Sequence, residues 1–265
     1  MSKVIILDKK MGETPLECLN RYKIDNNITE PMTYAGRLDP MASGLLIALI
    51  GDECKNKNHY NRLNKEYEFE ILTGFFTDTH DILGLVEKYN EQEIDKEMII
   101  QTTLGTKGKF VQQYPSYSSR TIGGKQMHYL ARNNMLNSAQ IPSQNIEIYN
   151  IEYLGKYCLN KTELNDEINR RISLVSGDFR QKEITFSWNK ILNESKDENF
   201  EILRFKLNCS SGTYVRGLVR DISQKLNIPL CTWNITRTAI GIYQKVDREA
   251  RPRGDKTTLD NMTVF

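Results

Sequence analysis

The chain predicts an α+β fold in one domain, and three observations carry that reading. Two segments, Glu66 to Thr73 and Leu203 to Cys209, alternate apolar and polar side chains with period two, as half-buried strands do. The segment after Ser210-Ser211-Gly212 places Val215, Leu218, Val219, Ile222 and Leu226 on one helical stripe. Strand and helix signals alternate irregularly along the 265 residues, with no internal repeat and no proline-rich linker to divide them.

In chain order, Val4 to Leu7 reads as a short strand and Pro15 to Tyr22 as a helix with Leu16 and Leu19 inward. Leu45 to Ile50 is continuously apolar between Gly44 and Gly51, which suits a strand buried on both faces. Asp52 to Leu63 reads as a helix whose two leading acids suit its N-terminus. In the next strand Tyr67, Phe69 and Ile71 point inward against Glu66, Glu68 and Glu70. Tyr157 to Asn199 reads as an insertion between strands, with Thr162 to Ser176 helical, Phe179 to Asn189 mixed and Asn193 to Asn199 a polar surface loop. Leu203, Phe205, Leu207 and Cys209 then line the inner face of a strand, and in the following helix Arg216 falls at the edge of the apolar stripe while Arg220 turns toward solvent. The expected domain is residues 1–247, carrying the insertion 157–199, followed by a short basic tail, 248–265.

A hydrophobic content of 39% can build a substantial core, and 36 Lys and Arg against 34 Asp and Glu confine any nucleic-acid surface to a local patch. Five scattered cysteines without a C-x-x-C pair argue against a disulfide framework and a zinc ribbon, and point to a reducing compartment. The first apolar run is too short for a signal peptide, and no segment has membrane length, so a soluble cytoplasmic protein is expected.

One carboxylate stands out. Tyr34-Ala35-Gly36-Arg37-Leu38-Asp39-Pro40-Met41-Ala42-Ser43-Gly44 presents Asp39 on a glycine-flanked turn beside the buried strand, where water is scarce. Read alone, Asp before Pro also starts helices and turns by capping backbone N–H groups. Other chemistries find little support. Gly105 to Phe110 fails the phosphate-loop pattern at Thr103 and Phe110, and His59, His80 and His128 are too scattered for a nucleophile triad. Thr77-Asp78-Thr79-His80-Asp81 contains metal-ligand types, yet between Gly74 and Gly84 it suits a turn whose side chains bond its own backbone.

Five ordered blocks resemble the TruB family of tRNA pseudouridine synthases. They are Gly36-x-Leu38-Asp39-Pro40-x-Ala42-Ser43-Gly44; Ile50-Gly51-Asp52-Glu53-x-Lys55; Lys65-x-Tyr67 with Gly74-x-x-Thr77-Asp78-Thr79-x-Asp81-x-x-Gly84; Gln113-x-Pro115-x-Tyr117-Ser118 with Gly124-Lys125 and Tyr129-x-Ala131-Arg132; and Cys209-Ser210-x-Gly212-Thr213-Tyr214-Val215-Arg216. The resemblance runs from about Val4 to Val246 and implies the pseudouridine synthase fold, a mixed, mostly antiparallel central sheet flanked by helices. It makes Asp39 the catalytic carboxylate, Tyr67 the aromatic stacked on the target base and Arg216 the partner that keeps Asp39 ionised.

The activity implied is isomerisation of the T-loop uridine that tRNA numbering calls 55, without a guide RNA. No metal or other cofactor is required. The T-arm of tRNA is the expected partner, a monomer the expected state, and no obligatory protein partner is expected. Phosphate contacts fall to Lys107, Lys109, Arg120, Lys125 and Arg132, interleaved with Phe110, Tyr114, Tyr117 and Tyr129. The chain departs from the family in having Tyr34 where histidine is usual, Thr121 where lysine is usual, and Lys9-Lys10-Met11-Gly12-Glu13-Thr14-Pro15 for K-P-x-G-x-T-S. Tyr34 can still stack on a base. The residues after Val246 are too few for a full C-terminal RNA-binding domain, and Arg248, Arg251, Arg253 and Lys256 offer a basic tail instead. Two other readings compete: a non-catalytic RNA-binding or tRNA-folding protein on the same fold, and a metal-dependent hydrolase built on Asp78, His80 and Asp81.

Overall fold

A computed structural model describes residues 3–90, 94–137, 141–241 and 243–244; the basic tail lies outside them. The first strand, β1 (Lys3–Lys9), leads into α1 (Pro15–Asp25), whose start is fixed by a reciprocal cap in which Thr14 and Glu17 bond each other's backbone N–H. Cys18 and Leu19 face inward, but Leu16 is 55% exposed, contrary to expectation. Two residues before Cys18 is 200° round the helix, which carries Leu16 to the solvent side.

Next come β2 (Met32–Ala35) and β3 (Ala42–Ile50), the latter buried on both faces as its composition predicts. The helix expected over Asp52 to Leu63 is broken into a 3-10 turn, Gly51–Asn56, and a short α2 (Lys57–Asn61), neither burying a side chain. Asn and His are weak helix formers, and Cys54, Tyr60 and Leu63 pack on the core only partly buried, too little to hold one continuous helix. After β4 (Lys65–Thr73), the hairpin of β5 (Phe75–Thr77) and β6 (Val86–Tyr89) stands off the main sheet. Then α3 (Lys96–Leu104), β7 (Gly108–Gln113), the small hairpin β8 (Thr121–Ile122) and β9 (Lys125–Gln126), and α4 (Met127–Arg132) precede β10 (Ser143–Asn160).

Between β10 and its antiparallel neighbour β11 (Asn199–Cys209) stand α5 (Lys161–Ser173) and α6 (Gln181–Glu194). Residues expected to be mixed are thus helical, and the expected surface loop is reduced, since Glu194 ends α6, Ser195 is buried and Asn199 begins β11. Ile184, Trp188 and Leu192 form the buried stripe of α6, but Phe186, 71% exposed, falls on the outer face and blurs the period. Trp188 is fully buried and donates Nε1 to the Ile82 carbonyl at 3.1 Å, satisfying its one polar atom. Burying each such large apolar side chain contributes about 1.5 to 3 kcal/mol.

The chain closes through α7 (Val215–Leu226), β12 (Leu230–Ile240) and β13 (Tyr243–Gln244). The main sheet runs β1-β3-β12-β4-β11-β10-β7, with β2 on β3 and β13 on β12. Every pairing in it is antiparallel except β3 with β12. One face packs on α7 and α3, and α5 with α6 covers another stretch around Leu72, Ile202 and Trp233.

At the parallel contact, Gly44 sits at φ +102°, and a Cβ there would lie 2.3 Å from the Arg237 carbonyl oxygen. Gly44→Ala is expected to lose at least about 1 to 3 kcal/mol from backbone strain and clash, read as a lowered urea midpoint with unchanged slope. An unaltered midpoint would contradict the close approach.

Candidate active site

Asp39 lies in the loop between β2 and β3, closed by a turn from the Ala42 N–H to the Asp39 carbonyl at 3.0 Å. Two buried cations fasten this loop from the protein side. Lys9 donates Nζ to the carbonyls of Lys10, Pro40 and Ala42 at 3.0, 3.4 and 2.5 Å. Arg237 donates to the carbonyls of Leu45, Arg37 and Gly36 at 2.7, 3.2 and 3.0 Å. Nearby, Lys65 donates to the carbonyls of Asn61 and Leu63. Burial pushes the Lys9 ammonium down to about 8, and burial with the Arg237 charge does the same to Lys65.

The carboxylate meets Arg216 from the first turn of α7, with Nε to Asp39 Oδ2 at 2.7 Å. The same guanidinium donates to the Thr79 carbonyl at 2.7 Å and the Tyr117 carbonyl at 3.2 Å, and lies 3.5 Å from Asp81 Oδ2. Burial alone would lower its pKa, but Asp39 and Asp81 outweigh that and raise it, so the cation is permanent. Gln112 anchors the start of α7 by accepting from the Tyr214 N–H at 2.9 Å and donating to the Tyr214 carbonyl at 3.1 Å. The expected partnership of Asp39 and Arg216 is therefore formed, with one correction: the buried member is Arg216, its side chain 3% exposed, whereas that of Asp39 is 32% exposed. Among the described residues Oδ1 of Asp39 takes no hydrogen bond, leaving one oxygen fixed and one available.

Tyr67 is buried on β4 in the cluster that includes Leu38 and Ala42, the neighbours of Asp39. Burial holds its hydroxyl above the ordinary range, partly offset by the Arg237 charge. Tyr34 is not drawn into this group. Its ring packs against the β1 and α1 cluster with Lys57 Nζ 5.1 Å over it.

The Thr77 to Asp81 segment is a turn held by its own side chains. Thr77 Oγ1 donates to the Asp81 carbonyl at 2.6 Å, Thr79 Oγ1 donates to Asp81 Oδ1 at 2.7 Å, and Asp81 Oδ1 also accepts the Leu83 N–H at 3.0 Å. Asp78 accepts from the Leu85 N–H and from Arg180 at 2.8 Å each. Among the described residues no group of three His, Cys, Asp or Glu is arranged for a metal. Asp78 and Asp81 are engaged by the turn's backbone and by Arg180 and Arg216.

His80 occupies this turn at φ +65° and is buried, with no partner for Nδ1 among the described residues. Burial and the charges of Arg216 and Arg220 push it from 6.5 down to about 3. The unfolded chain thus takes the proton first, so the contribution of His80 is full above 6.5 and is lost as pH falls toward 3. Asp81, raised by burial to about 6, acts oppositely, its contribution being present below 3.8 and lost as pH rises through 6. His80→Asn keeps a residue that tolerates the left-handed turn and isolates the first effect. The stability difference, wild type minus variant, should shrink by up to about 1.4 kcal/mol per pH unit in urea titrations stepped from pH 6.5 to 4; a constant difference would contradict it.

The basic candidates divide. Lys109 and Lys125 are exposed, on β7 and β9, and exposed Lys107 bonds Asn150 at 2.8 Å. Arg120 bonds the Tyr114 hydroxyl and lies 4.6 Å over that ring, while Arg132 forms a bidentate pair with Asp178 at 2.7 and 2.6 Å. Tyr117 is half-buried beneath Arg180, 4.6 Å from its ring. Arg220, expected toward solvent, is buried because the segment after β7 covers it and accepts its protons at the Gln113 and Tyr114 carbonyls.

No role is read from the sequence for Lys9, Lys65, Arg237 or Tyr214, and Asp81 is read only as a turn residue or a metal-ligand candidate. Burial pushes the Tyr214 phenol up to about 12, with the Asp39 charge adding to it. A signal for the cations existed, since each occupies an inward position of a period-two strand: Ile5-x-Leu7-x-Lys9, Lys65-x-Tyr67-x-Phe69, and Ile235-x-Arg237-x-Ala239.

A loop carboxylate with one oxygen held by a buried arginine and the other open, on a mixed sheet, defines a centre for covalent or acid–base chemistry. Residues 27–177 match the TruB family pseudouridylate synthase (N terminal domain), and the chain belongs to that family. Its relatives include tRNA pseudouridine synthase B of Borreliella afzelii (strain PKo), 28% identical over 243 residues, covering 92% of this chain and 71% of the relative. That of Clostridium tetani is 28% identical over 244 residues, covering 92% and 69%. Among solved structures, the chain superposes on one in the crystal structure of a Cbf5-Nop10-Gar1 complex at TM-score 0.56 and 18% identity, covering 92% of this chain and 50% of that one. The structure of an H/ACA RNP bound to a substrate RNA containing 2'-deoxyuridine gives TM-score 0.53 and 17% identity, covering 92% and 49%. The chain spans about half the length of these solved chains, and the likeness establishes the shared fold.

Proposed function

We propose that this protein isomerises the T-loop uridine of tRNA to pseudouridine, with Asp39 as the attacking carboxylate. The observation that carries the reading is the asymmetry of Asp39, whose Oδ2 is fixed 2.7 Å from a buried arginine while the side chain remains solvent-facing. Family membership supplies the reaction, and the relatives' names supply tRNA as substrate.

In this account Oδ1 attacks C1' of the target nucleotide, and the N1–C1' bond breaks with its electron pair passing to the uracil ring. The ring turns within the site, the C5–C1' bond forms as the carboxylate departs, and the C5 proton is lost while N1 gains one. Atoms and electrons balance without oxidant or hydrolysis. Arg216 keeps Asp39 anionic and oriented before attack and receives it again afterwards. Tyr67 stacks on the extruded base, offsetting part of the few kcal/mol needed to extract it from the loop. Exposed Lys107, Lys109 and Lys125 engage phosphates, whereas Arg120 and Arg132 brace the RNA-facing segment through Tyr114 and Asp178. The enzyme acts as a monomer in the cytoplasm.

Tritium release from a tRNA transcript labelled at uridine C5 tests the assignment. Release is expected from the unmodified transcript and not from one carrying cytidine at the T-loop position; equal release from both would place the target elsewhere.

A further inference from the structure

The outer face of α6 has no part in the site above, yet it is built like a nucleotide-binding strip. Lys182, Phe186 and Lys190 recur at four-residue intervals and so share one helical face, with the two lysines about 12 Å apart along the axis and the phenyl ring midway. Together with Leu85, Val86 and Glu183 they line a groove of about 560 Å³. Its floor is secured by the Val86 N–H, which donates to Ser187 Oγ at 3.1 Å. Phe186 is 71% exposed, and two ammoniums against one carboxylate leave the groove net positive.

The groove is linked to the active site through a chain of contacts. Arg180, heading α6, pairs with Asp78 at 2.8 Å and lies 4.6 Å over Tyr117, whose carbonyl bonds Arg216. Leu85, in the groove, donates its N–H to the same Asp78 at 2.8 Å.

We infer that this face binds unpaired nucleotides of the substrate RNA outside the target loop, with one base stacked on Phe186 and flanking phosphates on Lys182 and Lys190. An exposed aromatic between cations suits a single strand, because every base offers a π-face and the lysines follow the backbone without reading sequence. The inference rests on the proposed RNA-modifying function and extends its substrate footprint.

The test compares wild type with the combined Lys182→Ala, Phe186→Ala and Lys190→Ala variant for binding to a full-length tRNA transcript and to an isolated T-arm hairpin, by fluorescence anisotropy over a KCl series. All three side chains are exposed, and alanine favours helix. The variant should bind full-length tRNA more weakly, on the order of 10- to 100-fold, with a log–log salt slope shallower by about 1.4. Its affinity for the hairpin should be unchanged, and Phe186→Trp alone should retain wild-type affinity for both. Unchanged affinity for full-length tRNA, or an equal loss on both RNAs, would overturn the inference. So would an altered oligomeric state with RNA affinity intact, which assigns the groove to a second copy. Failure of wild type to form pseudouridine would overturn the function proposed above while leaving this binding comparison readable.

Discussion

Asp39→Asn is expected to fold as wild type does and to lose pseudouridine formation by a factor on the order of 10⁴ or more, as removal of a nucleophile does in other enzymes. The amide keeps the size and hydrogen-bonding shape of the carboxyl group but cannot attack C1'. Stability should change little, because the side chain is already 32% exposed and Arg216 keeps Asp81 and two carbonyls as partners. Single-turnover kinetics on a tRNA transcript, with circular dichroism and tRNA affinity as controls, separates lost chemistry from lost folding. Turnover within tenfold of wild type would remove Asp39 from the reaction.

Arg216→Ala carries the largest expected structural cost. The guanidinium is buried and serves Asp39, Asp81, the Thr79 carbonyl and the Tyr117 carbonyl at once. Its removal leaves Asp81 buried without its cation, a loss of roughly 3 to 5 kcal/mol, or a melting temperature lower by roughly 6 to 20 °C. Activity should fall with it, since Asp39 loses the contact that orients Oδ2. Arg216→Lys should recover part of the stability but little activity, because a compact ammonium cannot reach all four acceptors. Calorimetry beside activity checks both, and an Arg216→Ala protein with wild-type melting and turnover would contradict the geometry.

Much of this was legible in the residues. Tyr67, Phe69 and Ile71 against three glutamates declared both the strand and its inner face, and the Val215 to Leu226 stripe declared the helix that delivers Arg216. The Asp39 to Arg216 pairing, 177 residues apart, was readable only through the family resemblance, since no local periodicity encodes so distant a contact. Short elements failed where propensity and context disagreed: the segment after Gly51 lacked a buried face to hold a full helix, and exposed Phe186 hid the stripe of α6. The buried cations Lys9, Lys65 and Arg237 were passed over because a positive residue is ordinarily read as surface. Their partners are backbone carbonyls of the turns they secure, and such partners leave no mark in the sequence. Arg220 was misplaced for a related reason, as its cover comes from a loop a hundred residues earlier.

The most direct measurement is carbodiimide primer extension on an unmodified tRNA transcript treated with wild type or Asp39→Asn in EDTA. One new stop, at the T-loop uridine, is expected with wild type and none with the variant. A stop of equal strength with Asp39→Asn, or none with wild-type protein that binds the transcript tightly, would contradict it.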